Sequence, residues 1–175
     1  MTRRTLIAAT AAFALLSGCA SIRNAVSPPP QGTPSGRAGF LVYPVGALRF
    51  EAPAAWRTSG SPQHLQLEAP DGAARLEIST PEASFSDEKT CLTDADAVMR
   101  RAASLEHARR HATRFANVPA LTVEGDEGGW HVWAWAACDG GQQYQVFFTA
   151  RSPATPDALE AYRTLLATAR VGGQA

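Results

Sequence analysis

Hydrophobic and polar positions alternate with period two over much of the chain, the pattern of strands that bury one face. Leu48-Arg49-Phe50-Glu51 alternates and stops at Ala52-Pro53, with Trp56 just beyond. His64-Leu65-Gln66-Leu67-Glu68 and Ala74-Arg75-Leu76-Glu77-Ile78 alternate on either side of the turn residues Pro70-Asp71-Gly72, and the pair reads as a hairpin. Residues 109–116, 119–125, 130–138 and 143–151 read as further strands, with Asp139-Gly140-Gly141 as the turn between the last two. Period two puts His131, Trp133 and Trp135 on one strand face, with Val132, Ala134 and Ala136 on the other. The aromatic face is expected to lie beneath a helix.

Two stretches change period. Thr93-Asp94-Ala95-Asp96 reads as a helix start, with Thr93 as N-cap and acidic residues in the first turn. Ala95, Val98, Met99, Ala102 and Leu105 then fall on one helical face. The second helix opens at Thr155-Pro156-Asp157, with proline in the first helical position. Its stripe is Leu159, Tyr162, Leu166 and Ala169, flanked by Ala158 and Leu165. The order β-β-β-β-α-β-β-β-β-α predicts an α+β domain over residues 40–175, an antiparallel sheet flanked by two amphipathic helices.

The N-terminal residues follow neither pattern. After Arg3 and Arg4 an apolar run from Leu6 to Leu16, broken only by Thr10, spans 11 residues. That is about half of the ~20 residues a membrane-crossing helix needs, so the run reads as an export signal. It ends in Leu16-Ser17-Gly18-Cys19, which resembles the bacterial lipobox. The resemblance implies a lipoprotein signal peptide over residues 1–18, with Cys19 as the lipidated N-terminus of the mature chain and the lipid as its membrane partner. Ala20 in the next position implies the outer membrane by the same resemblance, with the inner membrane as the alternative. Thr2-Arg3-Arg4-Thr5-Leu6-Ile7 also resembles a twin-arginine export motif, so the general secretory and twin-arginine routes both stay open. Residues 20–39 hold four Pro and three Gly with almost no apolar periodicity. With Cys19 they are expected to form a disordered tether.

Charge excludes one class of function. The chain carries 16 Lys+Arg and 16 Asp+Glu. Losing residues 1–18 removes Arg3 and Arg4 and leaves 14 basic against 16 acidic residues. A nucleic-acid binder needs a basic excess, so no nucleic-acid partner is expected.

Phe50-Glu51-Ala52-Pro53-Ala54-Ala55-Trp56 resembles the opening of the PsbP-like superfamily, which includes DcrB-like envelope lipoproteins. The similarity continues through the hairpin at Pro70-Asp71-Gly72 and the first helix. It also takes in Asn117-Val118-Pro119-Ala120 and the closing aromatic strand and helix, covering roughly residues 40–172. Val118 stands where relatives have Gly. The resemblance implies a PsbP-like α/β/α sandwich and a domain that binds or scaffolds. With the lipobox, the tether and no nucleophile elbow, P-loop, dinucleotide or calcium-loop spacing, the expectation is a non-catalytic domain with an envelope protein partner and no cofactor.

Few residues invite chemistry. With Cys19 lipidated, Cys91 and Cys138 are an even pair, which in an oxidising compartment suggests one disulfide; two free buried thiols are the alternative. His107 and His111 have the i, i+4 spacing that can hold a metal on a helix, but helical phasing turns His107 to solvent and no metal is expected. Arg100, Arg101, Arg109, Arg110 and Arg114 form a local basic cluster, read as a solvated helix face or as a contact for an anionic partner. Glu124, Asp126 and Glu127 read as a solvated turn before Gly128-Gly129. The alternative function is an envelope enzyme, or its accessory subunit, with a site assembled from His64, His131 and Glu124.

Overall fold

The computed structural model describes residues 28–101 and 105–172; the signal peptide expected over residues 1–18 and the expected lipidation at Cys19 lie outside them. The body is α+β, with two antiparallel sheets and two helices. The small sheet joins β1 (Thr33–Pro34), β2 (Phe40–Val45), β3 (Leu48–Pro53) and the closing β11 (Arg170–Val171) in the order β1-β2-β3-β11. The large sheet holds β4 (Arg57–Ser61), β5 (His64–Glu68), β6 (Ala74–Ser79), β7 (Glu106–Phe115), β8 (Val118–Glu127), β9 (Trp130–Asp139) and β10 (Gln142–Arg151). Its order is β4-β5-β6-β10-β9-β8-β7.

Loop chemistry sets the register from β7 to β10. Each connection is two residues long with both at positive φ: Ala116-Asn117, Gly128-Gly129 and Gly140-Gly141. Such loops match the right-handed twist of the strands they join. Pairing of Glu127 with Trp130 then places Asp126 opposite His131 and Glu124 opposite Trp133.

The period-two reading of β9 holds. Trp133 and Trp135 stack on Tyr162 of α2 (Pro156–Thr168), with ring centroids 4.4 and 6.0 Å away. On that face Phe50, Leu65, Leu67, Leu76, Phe148 and Leu165 are buried in the main core, which the small sheet and α2 close. The opposite face offers Val123, Ala134, Ala136 and Cys138 to Cys91, Ala95 and Met99 of α1 (Glu88–Arg101), a second and smaller core. Helices therefore cover both faces of the large sheet. Cys91 and Cys138 are joined by a disulfide that ties α1 to β9.

Several expectations shift. Six strands precede α1, and the helix begins at Glu88, five residues before Thr93. Asp87 is the cap: its Oδ1 accepts from the Thr90 amide at 2.7 Å, and that hydrogen bond leads the causes that lower its pKa. Thr93 is instead mid-helix, its hydroxyl donating to the Lys89 carbonyl at 2.9 Å; Cys91 accordingly lies inside the helix. In α2, Thr155 caps and Pro156 opens the helix as expected. The buried stripe is rotated, however, to Ala158, Ala161, Thr164 and Leu165, leaving Leu166 exposed.

The boundary at residue 39 also moves. Thr33 and Pro34 pair with Val42 and Leu41. Glu51 accepts from the Ser35 hydroxyl at 2.8 Å and meets Arg37 at 3.3 Å. Gly32 passes so close to Leu41 and Tyr43 that a Cβ there would stand 2.8 Å from both side chains. Residues 32–37 thus join the folded body, because composition alone hides the partners that β2 and β3 provide, Leu41, Val42, Tyr43 and Glu51.

Candidate functional site

Three of the parts of the chain that carried the PsbP-like resemblance meet in one groove. The β3–β4 connection brings Pro53 and Trp56, the β5–β6 turn brings Pro70 and Asp71, and the start of α2 brings Thr155 and Ala158. Together they enclose about 390 Å³. Trp56 is buried and packs on Phe148 with ring centroids 6.0 Å apart, so its indole forms a fixed wall. Phe40 and Ala74 complete an apolar floor, and Asp71, Asp157 and Glu160 stand on the rim. Asp71 already accepts from the Ala73 amide at 2.9 Å, which shapes the turn. Asp157 lies in the first turn of α2 and complements the positive end of the helix. Apolar floor and acidic rim favour an apolar group carrying a positive or hydrogen-bond-donating end.

A second cluster lies across α2, toward the β7 side. His131 Nδ1 lies 2.8 Å from Asp126 Oδ1, and the edge of Trp133 meets the imidazole with centroids 4.2 Å apart. His107 approaches the other Asp126 oxygen at 3.9 Å, and Glu124 faces Arg109 at 3.9 Å. Burial, followed by the charge of Glu124, raises the Tyr162 pKa to about 12. Asp126 is the partner that sequence reading missed. The two-residue Gly128-Gly129 loop held the signal, since it places Asp126 directly across from His131.

His64 stands elsewhere. Register carries it through Ser79 and Gln145 to the level of Ala136. Three strand spacings and five residues along β9 put it about 20 Å from His131, on the opposite sheet face. There it meets Glu77 at 3.7 Å. His64, His131 and Glu124 do not converge, although Glu124 and His131 are neighbours on adjacent strands. His107 and His111 both lie on β7, not on a helix. At strand rise, four residues separate them by about 13 Å, too far to share one metal ion. Among the described residues no group of three His, Cys, Asp or Glu side chains could hold a metal. Of the five clustered arginines, Arg109, Arg110 and Arg114 lie on β7 and so share a strand, not a helix face; Arg110 pairs with Asp96 of α1. The side chains of Arg100 and Arg101 lie outside the described set. Glu124 and Asp126 belong to β8, not to a solvated turn.

No family model matches the chain, and no curated protein does. Solved structures do resemble it. One is a crystal structure from Bacteroides thetaiotaomicron, at 13% identity and a TM-score of 0.52, covering 75% of this chain. This chain spans only 47% of that one. Another is the solution structure of cyanobacterial PsbP (CyanoP) from Synechocystis, at 14% identity and a TM-score of 0.50, covering 80% of this chain and 98% of that one. At such identities the likeness is one of fold, and the fold is PsbP-like.

Proposed function

We propose that this protein is a lipid-anchored component of a bacterial cell envelope whose PsbP-like domain binds or scaffolds another envelope protein without catalysing a reaction. The observation that carries the reading is Leu16-Ser17-Gly18-Cys19 placed directly after an 11-residue apolar run. The Cys91–Cys138 bond supports export, because such bonds persist in oxidising compartments. The groove at Trp56 supports binding. The enzyme alternative drew on His64, His131 and Glu124: His64 lies on the other side of the sheet, while Glu124 and His131 are neighbours on adjacent strands.

The test is Cys19→Ala in the full-length chain, with palmitate labelling and fractionation of cells. The wild-type chain is expected in the membrane fraction, labelled, with a mature mass lacking residues 1–18. The variant is expected to stay unlabelled and either persist as precursor or leave the membrane. Equal mass and equal membrane recovery for the two would overturn the proposal.

A further inference from the structure

The groove at Trp56 carries charge of one sign only. Its lining holds Asp71, Asp157 and Glu160 and no Lys, Arg or His. All three carboxylates are exposed, and among the described residues none has a cation within ion-pair distance. The arginines that adjoin the groove in the chain are engaged elsewhere. Arg37 meets Glu51 at 3.3 Å, with its guanidinium over the Phe40 ring. Arg57 and Arg75 both pair with Glu68, at 3.3 and 3.6 Å, and Arg151 lies over Trp130. Glu160 also borders a neighbouring groove that holds Arg37 and Arg163. The charge that selects an occupant is therefore that of Asp71 and Asp157.

Beneath this rim the floor is apolar and fixed. Trp56, Ala69, Ala74 and Ala158 are buried by their own packing, with Phe40 half-buried beside them. At about 390 Å³ the space lies near the lower end of the ligand-pocket range. An apolar side chain entering it would leave water against rigid walls, the usual source of affinity in such an anchor, while the rim charge selects what stands next to it. The N-terminus of α2 would by itself favour an anion, but Asp157 in its first turn already supplies the negative charge there.

We infer that this groove docks a segment of a partner protein in which an apolar side chain stands next to an arginine, the apolar group on the Trp56 floor and the guanidinium at the Asp71 and Asp157 rim. This rests on the binding role proposed above and names the partner's chemistry. Arginine suits the rim better than lysine, because its planar fork meets carboxylates bidentately and stacks on aromatic rings, as Arg37 already does on Phe40. The chain's own residues before Pro28 hold one matching pair, Ile22-Arg23. The chain passes Gly32 in the direction away from Phe40, however, and Pro28-Pro29-Pro30 extends that departure by about 9 Å. A partner segment meets no such restriction.

The test titrates the full chain held in detergent with the peptide acetyl-Gly-Leu-Arg-Gly-amide, followed by amide and indole chemical shifts. Control peptides carry Ser in place of Leu, or Glu in place of Arg. The Leu-Arg peptide is expected to shift the Trp56 indole and the amides of Asp71, Ala73, Asp157 and Ala158. It should bind about fivefold more tightly than either control. Asp71→Asn combined with Asp157→Asn should make the Leu-Arg and Leu-Glu peptides bind alike. Asn at position 71 keeps the Oδ1 that accepts from the Ala73 amide, so the turn should survive. Ala55→Trp, at an exposed position lining the groove, should abolish binding while the shifts of β9 and β10 stay in place. Equal binding of the Leu-Arg and Leu-Glu peptides to the wild type, no groove shift at millimolar peptide, or unchanged affinity in the double Asn variant would overturn the proposal. So would butylguanidinium binding as tightly as the peptide, which would assign the groove to a small cation. A gain in peptide affinity on deleting residues 20–27 would also overturn it, by assigning the groove to Ile22-Arg23. None of these outcomes depends on membrane attachment, so a failure here is separable from a failure at Cys19.

Discussion

Breaking the Cys91–Cys138 bond should unseat α1 before it disturbs the main core. The bond spans a sequence separation of 47 residues, and the chain-entropy relation assigns such a loop about 4 kcal/mol. Besides the bond, α1 is held by a small apolar contact that includes Leu92 and Val98 at its margin, by Gln143 donating to Asp94 at 3.1 Å and by Arg110 pairing with Asp96. Its fully buried side chains are Cys91, Ala95 and Met99, which face Val123, Ala134 and Ala136. Burying Met99 and the Ala95 methyl contributes about 2–4 kcal/mol, so the covalent link matches the fully buried part of the apolar contact. The pair Cys91→Ala and Cys138→Ala avoids having to reduce a buried bond. Urea unfolding followed by tryptophan fluorescence should show a loss of about 2–4 kcal/mol, with a steeper denaturant dependence because the open unfolded chain exposes more surface. Exchange should accelerate in α1 amides well ahead of those in β6 and β10. A loss below about 1 kcal/mol, with α1 protected as before, would refute the claim that the bond holds the helix.

Two further outcomes follow from particular residues. Gly140 and Gly141 both have positive φ, but a Cβ on Gly140 meets nothing, whereas one on Gly141 would stand 2.3 Å from the Phe85 carbonyl oxygen. Thermal unfolding should therefore show Gly140→Ala costing about 1–2 kcal/mol and Gly141→Ala clearly more, and equal costs would contradict the contact. Tyr162, raised to about 12 by burial and then by Glu124, keeps its proton in the folded state above the pH at which the unfolded chain loses it. Its contribution to stability is complete below about pH 10 and falls as pH rises toward 12; ultraviolet titration against Tyr162→Phe should locate the late phenol.

Much of this fold was legible because period and turn chemistry act locally. The alternation in residues 130–138 and the paired glycines around them fix which face of β9 is aromatic and which partner each residue meets. The N-terminus of α2 was equally readable, since Thr155-Pro156 satisfies the helix end within four residues. What escaped depended on distant partners. Thr93-Asp94-Ala95-Asp96 has the composition of a helix start, but the earlier Asp87 cap lets α1 begin where Cys91 can reach Cys138. Thr33-Pro34 has no strand character of its own and becomes β1 only because β2 offers an edge. The groove at Trp56 joins three segments separated by up to a hundred residues, and no spacing rule within one sequence relates them.

The correction at the N-terminus alters how an anchored domain would stand. Pairing of β1 with β2 is antiparallel, so toward its N-terminus the chain runs from Thr33 past Gly32 and Tyr43, away from Phe40. Phe40 lines the groove. The tether root, level with Tyr43, is therefore displaced from Phe40 toward the β2–β3 turn by three residues of strand rise, about 10 Å. Under the proposed anchoring at Cys19, only the residues up to Gly32 remain as linker, with a typical reach of about 20 Å. That is shorter than the ~25–30 Å breadth of a domain this size, so the domain would stay close to the headgroups with a preferred end toward them. The side bearing the linker root would face the lipid, with the groove residue Phe40 set back from that root by about 10 Å along the strand.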